Sequence, residues 1–361
     1  MNRGDAAPRE GAASPRATRE ANTIMFRFLL VRIASAIPVL FVLSVVTFAI
    51  IQAPPGDYSD YIRSQLINQG GASFEEADAQ AQAYKVAHGL DKPLPVQYAN
   101  WITGIVTRGD FGHSLFYNKP VADVVGERLP RTLALALVCH ILASVIGITF
   151  GVLAATRQYS WVDSLLSGIS FLGMTVPRFL MALIIVYVLV FHFNVTEINS
   201  FHSARYGGAP WSWGKFVDLV KHVWPVIAIA TFGGLAYNMR VMRGNLLDTL
   251  NAQYVETARA KGLSERTVVM RHAVPNALHP LVMYQGVVMP YMLTGEIETA
   301  IIFALPTVGP AIVGSMWVGD VYVTATFMLV LSVTLIVGNI IADMLLVALD
   351  PRIRLGGGAD A

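Results

Sequence analysis

Six long apolar runs constrain this chain of 361 residues more than any other feature of its sequence. The runs are Phe28–Ile51, Leu133–Ala155, Leu165–Phe193, Val223–Met239, Leu278–Thr294 and Thr324–Leu349. A helix needs about 17–25 residues to cross the hydrocarbon of a bilayer, which is the length of most of these runs. Backbone groups cannot stay unpaired in lipid, and the runs lack the strict alternation of apolar and polar residues seen in barrel strands. We therefore predict six transmembrane helices.

The composition agrees with a lipid environment. Only 14% of the residues are charged and 54% are apolar, whereas a soluble domain carries about 25% charged residues. The net charge of +2 gives no indication of a nucleic-acid partner, and the single cysteine, Cys139, cannot form an intramolecular disulfide. The sequence predicts an all-α integral membrane protein that is embedded in the lipid bilayer.

The chain divides into five parts around these runs. Residues 1–24 are rich in Ala, Arg, Pro and Glu and predict a disordered tail. Residues 25–53 form the first transmembrane helix, because the run is longer than the 7–15 or so apolar residues of a secretory signal. Residues 54–130 predict a large outer, periplasmic segment. Residues 131–349 form the membrane core, and residues 350–361 form a short tail.

Lys and Arg in the short connections predict the orientation. Five arginines lie at or before residue 27, four of them in the N-terminal tail, and the connection between the fourth and fifth runs holds six Lys and Arg residues. Residues 304–323, between the fifth and sixth runs, contain no Lys or Arg. We expect both termini to be cytoplasmic, although Arg205, Lys215 and Lys221 in a predicted outer loop do not favour this orientation.

The connection between the fourth and fifth runs predicts a helix–turn–helix. A helix is expected over about Asp248–Lys261 and would end at Gly262, with Ser264 capping the next helix. Small residues at Ala258 and Ala260 would permit close approach by a partner. An ordinary amphipathic loop is the alternative interpretation.

The residues of this connection resemble a known motif. Tyr254-Val-Glu-Thr-Ala-Arg-Ala-Lys-Gly-Leu-Ser-Glu-Arg-Thr-Val and the later Arg271-His-Ala-Val-Pro-Asn-Ala are similar to the EAA-type coupling loop of ABC importer permeases. Their dipeptide/oligopeptide/nickel branch is the most similar. Further similar segments begin at Ala53, Gly89, Arg108, Val121 and Leu349, so that the resemblance covers roughly residues 25–354.

The resemblance implies a type I ABC importer permease in a bacterial cytoplasmic (inner) membrane. Implied partners are a second homologous permease subunit, two cytoplasmic ABC ATPase subunits that bind ATP–Mg, and an extracytoplasmic solute-binding protein. The coupling loop would cover residues 248–275. Its motif positions are Tyr254, Glu256, Thr257, Ala258, Gly262 and Pro275. Within this family, peptides are the first expectation for the transported solute, and nickel, opines, glutathione and short sugars are the alternatives.

One segment departs from the family pattern. Many members read Glu-x-x-Phe-x-x-Pro-Gly-Leu-Gly after the fifth span. Alignment on Phe303, Pro306 and Gly309 puts Ala300 in the acidic position and Thr307 in place of a glycine. This departure weakens any inference of the solute from ordinary members.

Three charged residues near the spans are candidates for the translocation path. Arg178 follows a proline inside the third run and either lines the path or makes a protein contact in a kinked helix. Glu296 and Glu298 follow the fifth run and either meet a cationic group of the solute or lie in the interfacial water. Asn339 and Asp343, one turn apart on the sixth run, predict an interhelical contact.

Other functions receive less support from the sequence. Gly214-Lys215 lacks the rest of a P-loop, so ATP hydrolysis is assigned to the partner subunits and not to this chain. The eight histidines show no metal-binding spacing, and we predict no cofactor or metal in this chain. A self-contained secondary transporter is the main alternative, although little indicates inverted repeats. An intramembrane enzyme would need a nucleophile or metal motif that is absent from the sequence.

Overall fold

The computed structural model describes residues 15–53, 56–195 and 197–349. Its helices are α1 (Pro15–Ile51), α2 (Tyr58–Asn68), α3 (Phe74–Ala87), α4 (Leu94–Arg108), α5 (Val121–Thr156), α6 (Trp161–Thr175), α7 (Arg178–Tyr187), α8 (Trp213–Leu250), α9 (Gln253–Ala260), α10 (Glu265–Thr267), α11 (Val274–Thr294), α12 (Ile297–Ile302), α13 (Val308–Val318) and α14 (Val321–Leu349). A short antiparallel hairpin of β1 (His113–Ser114) and β2 (Lys119–Pro120) precedes α5. The predicted all-α class is confirmed.

Several helices are long and apolar enough to cross a membrane. Within the described residues these segments are Leu30–Ile51, Val121–Thr156, Trp213–Leu250 and Val321–Met344. The pair α6 and α7, which continues through a π-helical turn at Val188–His192, bends by 98° and makes a fifth segment if it is one broken span. Helix α11 occupies the predicted fifth span. The total of six spans stays a prediction.

Two predicted boundaries differ from the structure. Helix α1 begins at Pro15, so the tail predicted to be disordered over 1–24 is helical from that residue. Ala, Arg and Glu favour the helical conformation, and Pro is favoured in the first turn of a helix. The boundary predicted between residues 130 and 131 falls inside α5, which begins at Val121 and contains Pro130. Residues 1–14 and the predicted tail 350–361 lie outside the described residues.

Glycines bring α5 and α8 into close contact. A Cβ atom added at Gly147 would lie 2.7 Å from the Cβ of Asn238, and one added at Gly151 would lie 2.6 Å from the Cβ of Met242. Close approach of this kind is what holds helices together in lipid, where burial of apolar surface gives little driving force. Helix α6 joins α8 through Ser170, whose hydroxyl donates to the carbonyl of Ala236 at 2.7 Å.

Ion pairs also connect helices of the membrane core. The Arg243 guanidinium donates to both carboxylate oxygens of Asp163 at 2.7 and 2.8 Å and ties α8 to the start of α6. Arg32 of α1 pairs with Asp343 of α14 at 2.9 Å. The predicted interhelical contact of Asp343 is therefore confirmed, while Asn339 lines the cleft beside this pair.

The segment that the sequence places outside the membrane is fixed to the start of α14. The buried carboxylate of Asp320 accepts hydrogen bonds from the Ser114 hydroxyl at 2.7 Å and from the Phe116 amide at 3.0 Å. Asp57, which caps α2, pairs with Lys85 of α3 at 2.7 Å. Burial raises the pKa of the Asp57 carboxyl, but hydrogen bonds from Lys85 and Ser59 outweigh burial and hold this pKa below its usual value.

A substitution at Gly319 tests the attachment of the segment that contains α2 to the start of α14. Gly319 has a φ of 76°, and an added Cβ would lie 3.0 Å from the backbone of Asp57 and Tyr58. We expect Gly319→Ala to lower the free energy of unfolding by about 1–2 kcal/mol, which thermal unfolding in detergent measures. The control is Gly314→Ala, because an added Cβ meets no heavy atom within 4 Å there. Equal melting temperatures for the two variants would contradict the proposed attachment.

Candidate functional site

The connection between α8 and α11, residues 251–273, is here called the α8–α11 turn. The sequence predicts one helix over Asp248–Lys261, but this prediction is wrong: α8 ends at Leu250 and α9 begins at Gln253. Asn251 separates them, because its side-chain amide donates to the carbonyl of Leu247 at 3.1 Å and ends α8. Ala252 is extended, with φ −76° and ψ 143°.

The second half of the turn follows the sequence prediction. Gly262 has a φ of 76°, a conformation that favours glycine, and the chain reverses there. The Ser264 hydroxyl accepts a hydrogen bond from the Thr267 amide and caps α10. A π-helical stretch, Val268–Ala273, then leads directly into α11. The turn is continuous with both long helices.

One face of α9 is buried against the membrane helices. Val255 is 0% exposed and Ala258 is 6% exposed. They belong to a cluster that includes Ala155 of α5, Met242 and Leu246 of α8, Val268 and Val269 of the π-helical stretch, and Ala277 and Leu281 of α11. The expectation that Ala258 is open to a partner is wrong, because its small side chain serves internal packing. Ala260 is exposed.

Arg259 holds the parts of the turn together. Its guanidinium donates to Glu265 Oε1 at 2.8 Å and Oε2 at 3.1 Å, across the glycine turn. A third hydrogen bond joins Arg259 Nη1 to the carbonyl of Leu250 at 3.2 Å. The hydrogen bond from Arg259 lowers the pKa of the Glu265 carboxyl, so this carboxylate is charged at neutral pH. Sequence reasoning missed this pair, although the opposite charges flank the predicted turn.

The opposite face of α9 is open. Gln253, Glu256, Thr257 and Ala260 are exposed there. At the flanks, Tyr254 is 46% and Leu263 is 41% exposed. Gly262 is exposed, and Pro275 is half-buried as the second residue of α11. Of the six predicted coupling positions, Ala258 is therefore the one that is buried.

The two alanines of α9 provide a matched pair of substitutions. We expect Ala258→Leu to lower the free energy of unfolding by about 1–3 kcal/mol, because it overfills a packed cluster. Ala260→Leu should change it by no more than about 0.5 kcal/mol, because that side chain faces solvent. Thermal unfolding of the purified chain measures both effects. An equal loss for the two variants would contradict the assigned faces.

A cavity of about 200 Å³ lies between the membrane helices. Four helices and the segment after α11 line it. The lining residues are Ala136, Cys139, His140 and Ala143 of α5, Arg178 of α7, Ala230, Gly233, Gly234, Tyr237 and Asn238 of α8, Tyr284, Val288 and Tyr291 of α11, and Glu296. The cavity therefore shares α5, α8 and α11 with the cluster beneath the α8–α11 turn.

Arg178 lines the cavity and also makes the protein contact that the sequence left as one alternative, while its place on a translocation path stays a prediction. Its Nη1 donates to the carbonyl of Gly295 at 2.7 Å. Its guanidinium also lies close to Gly233, where an added Cβ would be 3.1 Å from Nε and 3.2 Å from Nη2. Two glycines thus make room for the guanidinium at the bend between α6 and α7.

The two candidate carboxylates lie in different surroundings. Glu296 lines the cavity, and its Oε2 is buried without a hydrogen-bond partner. This burial favours the cavity over interfacial water as the surroundings of that oxygen. Glu298 is exposed and is not part of the cavity lining. The structure brings Arg178 and Glu296 into one cavity and leaves Glu298 outside it.

The atypical segment after α11 forms a wall of this region. Ala300 and Phe303 are both 0% exposed and pack with Leu135 and Cys139 of α5. Gly309 lies tightly on α12, since an added Cβ would be 2.5 Å from Ile297 Cγ1. These contacts fix the backbone that carries Glu296. Among the described residues, no group of three or more His, Cys, Asp or Glu side chains is placed to bind a metal ion.

Two glycines of α8 test the packing of Arg178. We expect Gly244→Ala to stabilise the protein by about 0.5–1 kcal/mol, because alanine is favoured over glycine in a helix and no heavy atom lies within 4 Å of the added Cβ. Gly233→Ala should not stabilise the protein in this way, since the added Cβ would force the Arg178 guanidinium to move. Thermal unfolding of both variants measures the difference. Equal stabilisation by the two substitutions would contradict the close packing of the Arg178 guanidinium against Gly233.

Comparison with known families covers most of the chain. Residues 147–355 match the family described as the inner membrane component of binding-protein-dependent transport systems. Residues 25–136 match the N-terminal part of the membrane component of such systems.

Individual proteins are similar over nearly their whole length. The oligopeptide transport system permease protein AppB of Bacillus subtilis is 33% identical over 332 residues, covering 91% of this chain and 100% of that protein. The probable peptide ABC transporter permease protein y4tP of Sinorhizobium fredii is 30% identical over 327 residues, covering 91% of this chain and 99% of that protein.

Proposed function

Because the chain belongs to the family of inner membrane components of binding-protein-dependent transport systems, we propose that it forms one half of an ATP-driven import pore. It is a multi-pass permease of the inner membrane. A second homologous permease completes the pore, two ABC ATPase subunits bind ATP–Mg and supply the energy, and an extracytoplasmic binding protein delivers the solute.

The packing of α9 is the observation that carries this proposal. Its buried face shares one cluster with α5, α8 and α11, and Arg259 locks it to α10 and to the end of α8. Its opposite face, with Glu256, Thr257 and Ala260, is open. A surface that is free on one side and rigidly packed on the other is suited to receive a push from a docked ATPase and pass it to the long helices.

Movement of α8 and α11 would change the cavity, since both helices line it. Closure of the ATPases around ATP displaces α9, the two helices rock, and access to the cavity alternates between the two sides of the membrane. Arg178 and Glu296 then contact the solute along its path. Glu298, which is exposed, lies at the margin of that path.

The orientation follows from the positive-inside rule. The α8–α11 turn, with its basic residues, faces the cytoplasm and meets the ATPases there. Both termini lie on the same side, and the segment 54–130 faces the binding protein. Peptides are the proposed solutes, because the similar proteins of Bacillus subtilis and Sinorhizobium fredii carry names of oligopeptide and peptide permeases.

The test compares the open face of α9 with a distant exposed alanine. We expect Ala260→Leu to reduce both co-purification of the ATPase subunits and ATP-driven peptide uptake by about tenfold, as for a central contact of an interface. The control is Ala83→Leu, on an exposed position of α3 in the outer segment. Pull-down from solubilised membranes and uptake into vesicles measure the two effects.

Two results would contradict the proposal. One is a wild-type chain that retains no ATPase and takes up no peptide with ATP. The other is an Ala260→Leu variant that binds the ATPases and transports as well as Ala83→Leu does.

A further inference from the structure

Glu296 carries a buried carboxylate oxygen without a donor. Its Oε2 is enclosed by protein and accepts no hydrogen bond. Arg178 lines the same cavity, but its Nη1 donates to the carbonyl of Gly295, and no ion pair within 4.0 Å joins it to Glu296 in the described part of the chain. A buried carboxylate of this kind is costly unless a cation or a hydrogen-bond donor reaches it.

The surroundings of Glu296 suit an ammonium group. Tyr237, Tyr284 and Tyr291 line the same cavity, and the rings of Tyr237 and Tyr284 lie 4.6 Å apart between centroids, tilted by 33°. Aromatic faces attract cations through their quadrupole, most strongly where water is excluded. A carboxylate with several tyrosines therefore favours a ligand that carries a positive charge at one end.

The size of the cavity limits how much of a ligand it can hold. Its volume is about 200 Å³, below the roughly 300–1,000 Å³ of sites that enclose a drug-sized molecule. It can receive one end of a peptide but not the whole of a longer one. An amino terminus presents an ammonium group with a carbonyl oxygen next to it, and the guanidinium of Arg178 supplies donors for that oxygen.

We propose that this cavity receives the amino terminus of the transported peptide, with its ammonium group at Glu296 and its first carbonyl oxygen at Arg178. The inference rests on the proposed function of peptide import and adds the chemical group that the membrane chain recognises. Glu298 takes no part, because it lies outside the cavity. A peptide whose amino terminus is acetylated lacks the charge and should bind poorly.

The test measures binding to the full chain in lipid nanodiscs by isothermal titration calorimetry. The probes are trialanine amide, which has a free amino terminus, and its N-acetyl derivative. For the wild type we expect the free-amine probe to bind about tenfold more tightly, as for a hydrogen bond to a charged group. Glu296→Gln should remove this preference, while Glu298→Gln should keep it.

Three results would overturn the inference: equal affinity of the wild type for the two probes, no binding of the free-amine probe, or an unchanged preference in Glu296→Gln. The comparison of two probes on the wild type does not depend on how a variant folds. The measurement needs no ATPase and no binding protein, so its outcome is separate from that of the uptake experiment. Uptake with no preference for a free amino terminus would leave the import function standing and remove this inference alone.

Discussion

The close contact between α5 and α8 at Gly147 and Gly151 is the constraint on which the rest of the structure depends. Helix α8 carries the turn at one end and contributes five residues to the cavity wall along its middle. Because α5 lies against it through backbone and small side chains, the two helices can act as one unit. Larger residues at the two glycines would separate them and open the cavity and the cluster below the turn together.

The turn and the cavity are parts of one mechanical element. Val255 and Ala258 attach α9 to α8 and α11, and the same two helices bring tyrosines to the cavity. Arg259 and Glu265 keep the turn from bending at Gly262. A displacement of α9 would therefore move cavity residues instead of being absorbed in a flexible loop. This rigidity is what the proposed coupling to an ATPase subunit would require of so short a connection.

The sequence predicts the parts of this architecture that depend on local chemistry. Apolar runs indicate the membrane helices, Pro177 marks the break between α6 and α7, and Gly262 and Ser264 mark the turn. The burial of Ala258 could not be predicted, since a small residue suits an internal contact as well as an external one. The contact of Arg178 with Gly295 joins residues 117 positions apart, and no local pattern encodes it. Glu296 and Glu298 look equivalent in sequence, and only the path of the chain after α11 separates them.

The single cysteine of the chain gives the most direct test of the central claim, that ATP alters access to the cavity. Cys139 lines this cavity and is 4% exposed. The measurement is the rate at which a membrane-impermeant thiol reagent modifies Cys139 in the assembled transporter, from each side, without nucleotide and in an ATP-trapped state. The account predicts that ATP slows modification from one side and speeds it from the other. Equal rates in both states, from both sides, would contradict it.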